Sequence, residues 1–570
     1  MGTYVLTPTS EEEQSKQGSG IVADPIRSAM HLRPPARGGV EERFKPTDPQ
    51  IELSKNSLVK RILKDRRFQF FLILPNQIIF WAVILIGILG TVVPGLNFGS
   101  AITWYIWFCL VFVMMVVVGR AWCSMCPFGG FAEWIQRHAF WSRKTSKPLT
   151  LGWKLPESWA GYGLLISVTT FIGLTWIEEF FNIAGPGTPS DTSWMVVGIV
   201  VTAVAVFLLF ERRTFCRYIC PLSSLIGTIS GVGMAAGFRT KDRETCLNCP
   251  TKDCMRGGEE GYGCPWYTWP GSADSNLLCG LCSECYKSCP SDNVGFFVQK
   301  PMTSLINPIR RRLDVAWVIA LLFGLVVFQQ INALNWYTPI DNWLNKVTGV
   351  PHYPNPFDYI GFILLGAAIL AGAVWLIRQV LPGGSSGPDP ALAIAKAAGL
   401  SGGPGAAAVS DSSFAVNAAS PALAGGYATG QATSVLGSES GSRVKASFKS
   451  WFMPIMYGLI PVMGADYLAR QLPKFFKHSP RLISSVAHLF GAKAGLYNVR
   501  LLSNNGIIAV QVAVVAAGTL ASVYAMWKIA HRDLAPLTAR LRLAQILTVV
   551  MVLLAGAGVA ICYVAMHAAS

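Results

Sequence analysis

Eight cysteines between residues 246 and 289 form the clearest chemical pattern in the sequence. The downstream run reads Cys279-x2-Cys282-x2-Cys285-x3-Cys289-Pro290. Three thiolates at this spacing wrap one face of a [4Fe-4S] cubane, and the fourth reaches away from it. A structural zinc site is the main alternative, although zinc motifs rarely use this triple spacing. The run therefore predicts an iron–sulfur cluster.

An expanded copy of this run lies just upstream. It reads Cys246-x2-Cys249-x4-Cys254-x9-Cys264-Pro265. In two-cluster ferredoxins the fourth cysteine of each run ligates the other cluster, so we expect crossed ligand sets. The alternative is two uncrossed sets, which spacing alone does not exclude. The crossed assignment gives cluster 1 to Cys246, Cys249, Cys254 and Cys289, and cluster 2 to Cys279, Cys282, Cys285 and Cys264.

Two adjacent cubanes indicate a short path for single electrons. The sequence has no glycine-rich dinucleotide loop at a strand–helix junction, no phosphate-binding loop and no C-x-x-C-H haem motif. We therefore interpret the clusters as a relay, and we assign no catalytic residue.

Four further cysteines lie where two apolar runs end. Residues 119–127 read Gly-Arg-Ala-Trp-Cys-Ser-Met-Cys-Pro, and residues 213–221 read Arg-Thr-Phe-Cys-Arg-Tyr-Ile-Cys-Pro. If the two ends meet, Cys123, Cys126, Cys216 and Cys220 form a possible third metal, iron–sulfur or redox site. The alternative is that these thiols only pack or pair. Cys109 and Cys562 stand alone in apolar runs and are interpreted as small buried hydrophobic residues.

The composition indicates that a multi-pass membrane protein carries these motifs. Of 570 residues, 52% are hydrophobic and 14% are charged, whereas a soluble chain is about 25% charged. The net charge of +16 is explained by basic residues at the cytoplasmic ends of spans, so no nucleic-acid partner is expected. The cysteines occur in short C-x-x-C-like groups, which is typical of metal sites in a reducing compartment.

Apolar runs long enough to cross a bilayer predict an all-α fold with about eight or nine transmembrane helices. A cytoplasmic, bacterial-ferredoxin-like module with two [4Fe-4S] clusters is inserted between them. The predicted spans are 77–94, 101–118, 161–177, 194–210, 315–331, 357–377, 451–468, 506–529 and 543–566. The weakly apolar stretch 222–238 is expected to lie at the interface or to pack on the bundle.

The predicted spans divide the chain into six segments. They are a disordered cytoplasmic tail (1–70), a four-span core with both Cys-Pro motifs (71–238), the ferredoxin-like module (239–301), two further spans (302–381), a Gly/Ala/Ser-rich linker (382–446) and a C-terminal membrane module (447–570).

Basic loops place the cysteine-rich module on the inner side of a membrane. The C-terminal module fits this rule less well. If every run spans, several basic residues fall outside, namely Lys474, Lys477, Arg481, Lys493 and Arg500. Either the run 451–468 is re-entrant, or a basic outer loop meets an acidic partner.

The order of two spans, each closed by a Cys-Pro motif, followed by a double ferredoxin motif, resembles the membrane polyferredoxins of the NapH/NosR type. The likeness covers about residues 77–301. It is closest to the quinol-dehydrogenase subunit of periplasmic nitrate reduction. It departs in the unequal Cys-x2-Cys and Cys-x3-Cys spacings and in the linker and apolar runs after the sixth span, which leave the terminal acceptor open.

The resemblance implies electron transfer between the quinol pool and a respiratory partner through cubanes that face the cytoplasm. It implies quinone or quinol as substrate, membrane lipid and other subunits as partners, and the bacterial inner membrane as location. His138 and the pair Glu178-Glu179 are candidate proton acceptors from quinol, or else ordinary interfacial and solvated residues. Asp466, inside an apolar run, is either functional or structural.

We therefore predict a membrane-bound iron–sulfur electron-transfer protein that links the quinol pool to a respiratory partner. One alternative is a non-catalytic relay subunit of a larger membrane complex. Others are an assembly factor whose Cys-Pro thiols reduce a metal ion, and a transporter with redox-sensing clusters.

Overall fold

A computed structural model describes residues 50–568, except for 143–147, 157–158, 160–161, 184–188, 274, 309–310, 333, 335, 351–353, 382–446 and 493–494. It confirms the predicted fold class. In this part of the chain, eight helices are long and apolar enough to cross a membrane, and a bent helix pair supplies a ninth if it is one span. The predicted linker lies outside the described residues.

The membrane part is a bundle in which each predicted span corresponds to a helix or a broken helix. The helices are α2 (Phe68–Leu89), α3 (Phe108–Val118, which continues Phe98–Ser100 and a π-helical turn Ala101–Trp107), α5 (Gly163–Phe180), α6 (Pro189–Leu209), α12 (Leu313–Asn332), α14 (Pro356–Val380), the broken pair α15 (Phe448–Gly458) and α16 (Ile460–His478), α18 (Asn504–Ile529) and α19 (Leu541–Ala568).

Helix α12 lies at the centre of the bundle. Two thirds (67%) of its most apolar stretch is buried, whereas 22–33% of the corresponding stretch is buried in the other single-helix spans. It packs on α14, α5, α15 and α16. A Cβ on Gly366 of α14 would come within 2.8 Å of the Gly324 Cα, because small residues bring helix backbones together in membrane proteins.

The module between α6 and α12 is built on a three-stranded antiparallel sheet with the order β1-β3-β2. Its elements are β1 (Ile51–Glu52), β2 (Ala235–Thr240), β3 (Val294–Val298) and the short helices α8 (Arg243–Asn248), α9 (Asp253–Arg256) and α10 (Glu284–Lys287). The strands β2 and β3 bring the two ends of the cysteine-rich segment together.

The boundary predicted at residue 70 for a disordered tail is wrong for residues 50–70. Strand β1 pairs with β3, and α1 (Ser57–Lys64) follows it. Lys60 and Lys64 of α1 each lie 2.6 Å from a carboxylate oxygen of Asp292. The polar composition of residues 50–70 indicated disorder, because composition does not show that these lysines pair with an aspartate more than 200 positions later in the sequence.

The stretch 222–238 packs within the bundle. It forms α7 (Pro221–Ile229), whose residues are all buried or nearly so, followed by the start of β2. Helix α7 contacts α5, α3, α12 and α16. Its modest hydropathy reflects buried polar residues with partners inside the protein: the Ser223 hydroxyl accepts from the Arg120 guanidinium, and the Ser224 backbone N–H donates to the Ser167 hydroxyl of α5 at 2.9 Å.

The broken helix α15–α16 runs from one end of the bundle to the other. At one end the Tyr457 hydroxyl accepts a hydrogen bond (3.0 Å) from the Arg312 N–H, just before α12. At the other end Lys474 lines the same cavity as Glu178, near the end of α5. We call the first end, where the Cys-Pro motifs lie, the cysteine end, and the second the Glu178 end. The two sequence alternatives for this run, a re-entrant segment and a basic outer loop that meets an acidic partner, both stay predictions.

Candidate metal centres and the cavity beside them

The first group of cysteines surrounds a small cavity in the module. Cys246, Cys249, Cys254 and Cys289 all line it. The Asp242 carboxylate starts α8 by accepting from the Thr245 N–H at 2.8 Å, and this positions the first two cysteines. These are the four residues that the crossed assignment gives to cluster 1. Their ligation stays a prediction.

Hydrogen-bond donors surround the sulfur atoms of this group. The Asn293 side-chain amide donates to the Cys246 sulfur at 3.4 Å, and the Asn293 backbone N–H donates to the Cys289 sulfur at 3.3 Å. Such donors stabilise charge on sulfur and tune the potential of an iron–sulfur cluster. Cys249 and Cys289 are partly exposed, whereas Cys246 and Cys254 are buried. One side of this group therefore faces the protein surface.

The second group consists of Cys264, Cys279, Cys282 and Cys285. Burial, together with the nearby charge of Cys279, raises the pKa of Cys264 to about 11. Burial also raises the pKa of Cys285, and the charges of Cys264, Cys279 and Cys282 add to this. The fourth cysteine of the upstream run thus lies among the first three of the downstream run, in the arrangement that the crossed assignment requires.

The two groups adjoin each other. Cys254 of the first group is close enough to Cys264 of the second for their charges to interact, and the charges of Cys254 and Cys285 interact in the same way. Adjacent groups of four thiols suit electron transfer between two cubanes.

The third group brings the two Cys-Pro motifs together at the cysteine end of the bundle. Cys123, Cys126, Cys216 and Cys220 line the wall of one cavity. Pro127 and Pro221 each begin a helix, α4 (Pro127–Arg137) and α7, directly after a cysteine at the helix N-cap. Helix N-termini favour negative charge, so the repeated Cys-Pro places thiolates where a helix dipole stabilises them.

Chemically, the third group fits an iron–sulfur cluster. Burial, together with the charges of Cys126 and Cys123, raises the pKa of Cys220 to about 12. A thiol of this kind stays protonated at neutral pH without a cation, and metal binding supplies the charge that deprotonates cysteine ligands. Four cysteines are the usual ligands of a [4Fe-4S] cluster. Among the described residues, no three His, Cys, Asp or Glu side chains are placed to hold a single metal ion.

Two buried arginines and a tryptophan separate the third group from the second. The Arg213 guanidinium donates to Glu133 (Nε to Oε2, 2.8 Å) and to the Cys123 carbonyl at 3.3 Å, and it lies near both Cys216 and Cys282. The Arg120 guanidinium lies 4.4 Å from the centre of the Trp266 ring. The basic and aromatic residues of the motifs therefore surround the path between the cysteine groups.

The cavity beside the third group has a volume of about 440 Å³ and reaches from the cysteines to the Glu178 end. Its middle section is aromatic. The Trp104 and Phe108 rings stack with centres 5.1 Å apart, and the Phe112 and Tyr467 rings stack at 5.8 Å. Its far end carries charged and polar side chains, namely Glu178, Glu179, Gln329, Arg470, Gln471 and Lys474.

The sequence alone did not predict this cavity. Tyr467, Arg470 and Lys474 come from the C-terminal module, whose role was not predicted. Asp466 lies behind the cavity wall, where its carboxylate accepts from Tyr563 Oη at 2.8 Å and pairs with Arg470 Nε at 3.4 Å. His138 ends α4 in a left-handed conformation and is not one of the described residues that line the cavity.

Comparison with known proteins points to the same cysteines. A family described as "4Fe-4S binding domain" matches residues 100–148 and 192–238. These two segments contain the Cys-Pro motifs and end before the ferredoxin-like run. The match therefore bears on the third group, which spacing alone had left open between metal binding and packing.

The chain is also similar to a protein of Escherichia coli (strain K12), "Putative electron transport protein YccM". The two are 23% identical over 253 residues, which cover 41% of this chain and 67% of the relative. No solved structure matches. The narrower resemblance to the NapH/NosR type stays a prediction. Together with the membrane-spanning helices, these findings support iron–sulfur electron transport in a multi-pass membrane protein.

Proposed function

We propose that the protein oxidises a membrane quinol in the cavity and passes the electrons one at a time, through [4Fe-4S] clusters held by its cysteines, to a protein partner. One observation carries this proposal. A large, mostly apolar cavity inside the membrane bundle, with an aromatic middle section, has the four cysteines of the third group in its wall. A ligand in this cavity would lie directly beside a redox centre.

The cysteine groups would hold three clusters in a row. Cys123, Cys126, Cys216 and Cys220 would hold the cluster beside the cavity. The second group would follow it, and the first group, with Cys249 and Cys289 partly exposed, would face the partner. When bound, each [4Fe-4S] cluster accepts and donates a single electron.

The chain itself would bind and orient the quinol. Flat aromatic rings such as Trp104 and Phe108 suit a planar head group, and they keep water out of the site. The walls come from α3, α5, α6 and α16, and apolar surfaces between these helices suit a prenyl tail. Thr175, which lines the cavity one helical turn before Glu179 on α5, would fix the direction of a hydroxyl group.

The same reasoning proposes the location. Basic residues cluster beside the spans at the cysteine end, among them Arg212, Arg213, Arg311 and Arg312. By the positive-inside rule, the ferredoxin-like module would lie in the cytoplasm of a bacterium and the Glu178 end outside the inner membrane. The first group of cysteines would deliver electrons on the cytoplasmic side.

The test uses the full-length protein, purified without air in detergent or nanodiscs. We expect about twelve iron atoms and as much sulfide per chain, at four per cubane. A reduced short-chain quinol should bleach the visible absorbance of the clusters. Zinc in place of iron would overturn the proposal. Clusters that only dithionite reduces would overturn quinol oxidation and favour a relay subunit.

A matched pair of variants locates the entry point. Cys220→Ala should lose about four iron atoms, one cubane, and should lose quinol-driven bleaching. Cys562→Ala removes a lone cysteine of α19 and should change neither. If Cys220→Ala retains full iron and full quinol reactivity, the third group does not hold a cluster and the electron path begins elsewhere.

A further inference from the structure

The cavity has a second polar end, which electron transfer to the cysteines leaves unused. Glu178 and Glu179 stand at the end of α5, and Arg470 and Lys474 of α16 line the same end of the cavity. Ionisable groups inside a membrane bundle are costly and usually mark a functional site. Their position indicates a role in the reaction that takes place in the cavity.

Several polar atoms at this end have no partner within the described structure. Glu179 Oε2, Gln329 Oε1 and Gln471 Oε1 are buried and accept no hydrogen bond, although their residues line the cavity. Buried acceptors without a donor are unfavourable. A ligand that presents hydroxyl groups here would supply the missing donors.

The C-terminal module holds the basic side of this end in place. Asp466 is 1% exposed and pairs with Arg470, and it also accepts from Tyr563 on α19 and from Gln330 on α12. Three helices thus fix the aspartate that orients Arg470. Lys474 is held further along, with its Nζ 5.2 Å from the Trp104 ring. The titratable and charged groups that face the glutamate pair are Arg470, Lys474 and, from α14, Tyr359.

The two ends of the cavity lie far apart across the bundle. Ser167 Oγ donates to the Cys220 carbonyl at 2.7 Å, and Glu178 and Glu179 follow 11 and 12 residues later on the same helix. At 1.5 Å per residue this separation is about 17 Å. The glutamates adjoin the surface, because Asn182 lines the cavity and is itself exposed.

We infer that the protein separates charge across the membrane: electrons from the quinol leave at the cysteine end, and its protons leave at the Glu178 end through Glu178 and Glu179. This inference rests on the proposed quinol oxidation. Each quinol loses its two O–H hydrogens as two protons and two electrons and becomes quinone. The carboxylates accept the protons and pass them to the outer solution, and two single electrons reduce the oxidised clusters.

The test measures the side on which protons appear. The full chain is reconstituted into liposomes that contain a pH-sensitive dye, and ferricyanide, which does not cross the membrane, is added outside. Only molecules with the module outward then react. We expect the lumen to acidify by about one proton per electron, and a protonophore to abolish the signal.

The matched variants are the double variant Glu178→Gln with Glu179→Gln and the control Asp191→Asn, which changes an acidic residue in the first turn of α6 that is not part of the cavity wall. The double variant should slow quinol-driven reduction about 100-fold, at the low end of general-base contributions, and the control should not. Iron content and reduction by dithionite should be unchanged in both, which verifies that the clusters are intact.

The possible outcomes separate the two proposals. Electron transfer to ferricyanide with protons appearing outside, or with no lumen acidification, overturns the charge separation but leaves quinol oxidation standing. A double variant with native rate and stoichiometry overturns the role of the glutamates. If the native protein transfers no electrons from quinol although dithionite reduces its clusters, the proposed function itself fails.

Discussion

Removal of the Arg213 guanidinium should destabilise the protein strongly, because its partner is a buried carboxylate. Arg213 is 1% exposed and Glu133 is 2% exposed. Breaking a buried ion pair from one side costs about 3–5 kcal/mol, because the other charge stays buried without compensation. In this case Glu133 Oε1 keeps a second partner, Arg137 Nη1, at 3.2 Å. We therefore expect Arg213→Met to cost about 3 kcal/mol, the lower end of that range.

The assay is the free energy of unfolding of the solubilised, cluster-loaded protein in a denaturant series, together with iron content. The second variant, Arg213→Met with Glu133→Gln, removes both charges but also takes the carboxylate from Arg137, so we expect it to cost less than the sum of the two single variants without restoring native stability. The cycle of single and double variants gives the coupling between the two residues. A single Arg213→Met variant that costs under about 1 kcal/mol, or a double variant that costs as much as the two single variants together, would refute the reasoning.

Three further perturbations test other parts of the structure. Asn293→Asp replaces a hydrogen-bond donor to the Cys246 sulfur with a negative charge, which should lower the reduction potential of one cluster at unchanged iron content. Potentiometric EPR measures this potential, and a raised value would contradict the prediction. Burial alone would raise the pKa of Asp292, but Lys60 and Lys64 outweigh it and lower the pKa from 3.8 to about 2. The stabilisation of α1 by these ion pairs is therefore fully present above about pH 4 and is lost as the pH falls toward 2. At neutral pH, Asp292→Asn should speed proteolysis at residues 57–67. Equal rates in the variant and the native protein would argue against this. Gly324→Ala should lower the free energy of unfolding by about 1–3 kcal/mol through overpacking, because a Cβ there meets the Ile363 carbonyl. Gly361→Ala on α14 places its Cβ in open space and serves as the control. Equal denaturation midpoints for the two variants would disprove the close contact.

The sequence predicted the parts of the molecule that follow local rules. Hydropathy located every span because each one must satisfy its own backbone in lipid. The first membrane-spanning helix, α2, begins at Phe68, whereas hydropathy predicted a start at residue 77. The difference arises because the glutamines at 69 and 77 lower the local hydropathy although both are buried in the protein. The expected cysteine sets also lie together, since their spacing within each run restricts how the chain can fold around a cubane.

Features that depend on distant parts of the chain were not predictable. The cavity joins Glu178 of α5 to Arg470 of α16, almost 300 positions later, and no local pattern links the two. Residues 50–67 have the polar composition of a tail, yet Ile51 and Glu52 among them pair with a strand more than 240 positions away. Long-range charge partners and strand pairing decide both cases, and neither leaves a periodic signal in the sequence.

The interleaving of the two ferredoxin-like runs has a consequence for biogenesis. Cys264, from the first run, lies among residues of the second, and Cys289, the last cysteine of the module, lies among residues of the first. If these sets ligate as proposed, neither centre has its full complement of sulfur until the ribosome has passed residues 285 and 289, which are separated by only three positions. Neither cubane would then be completed before the first four spans have been synthesised.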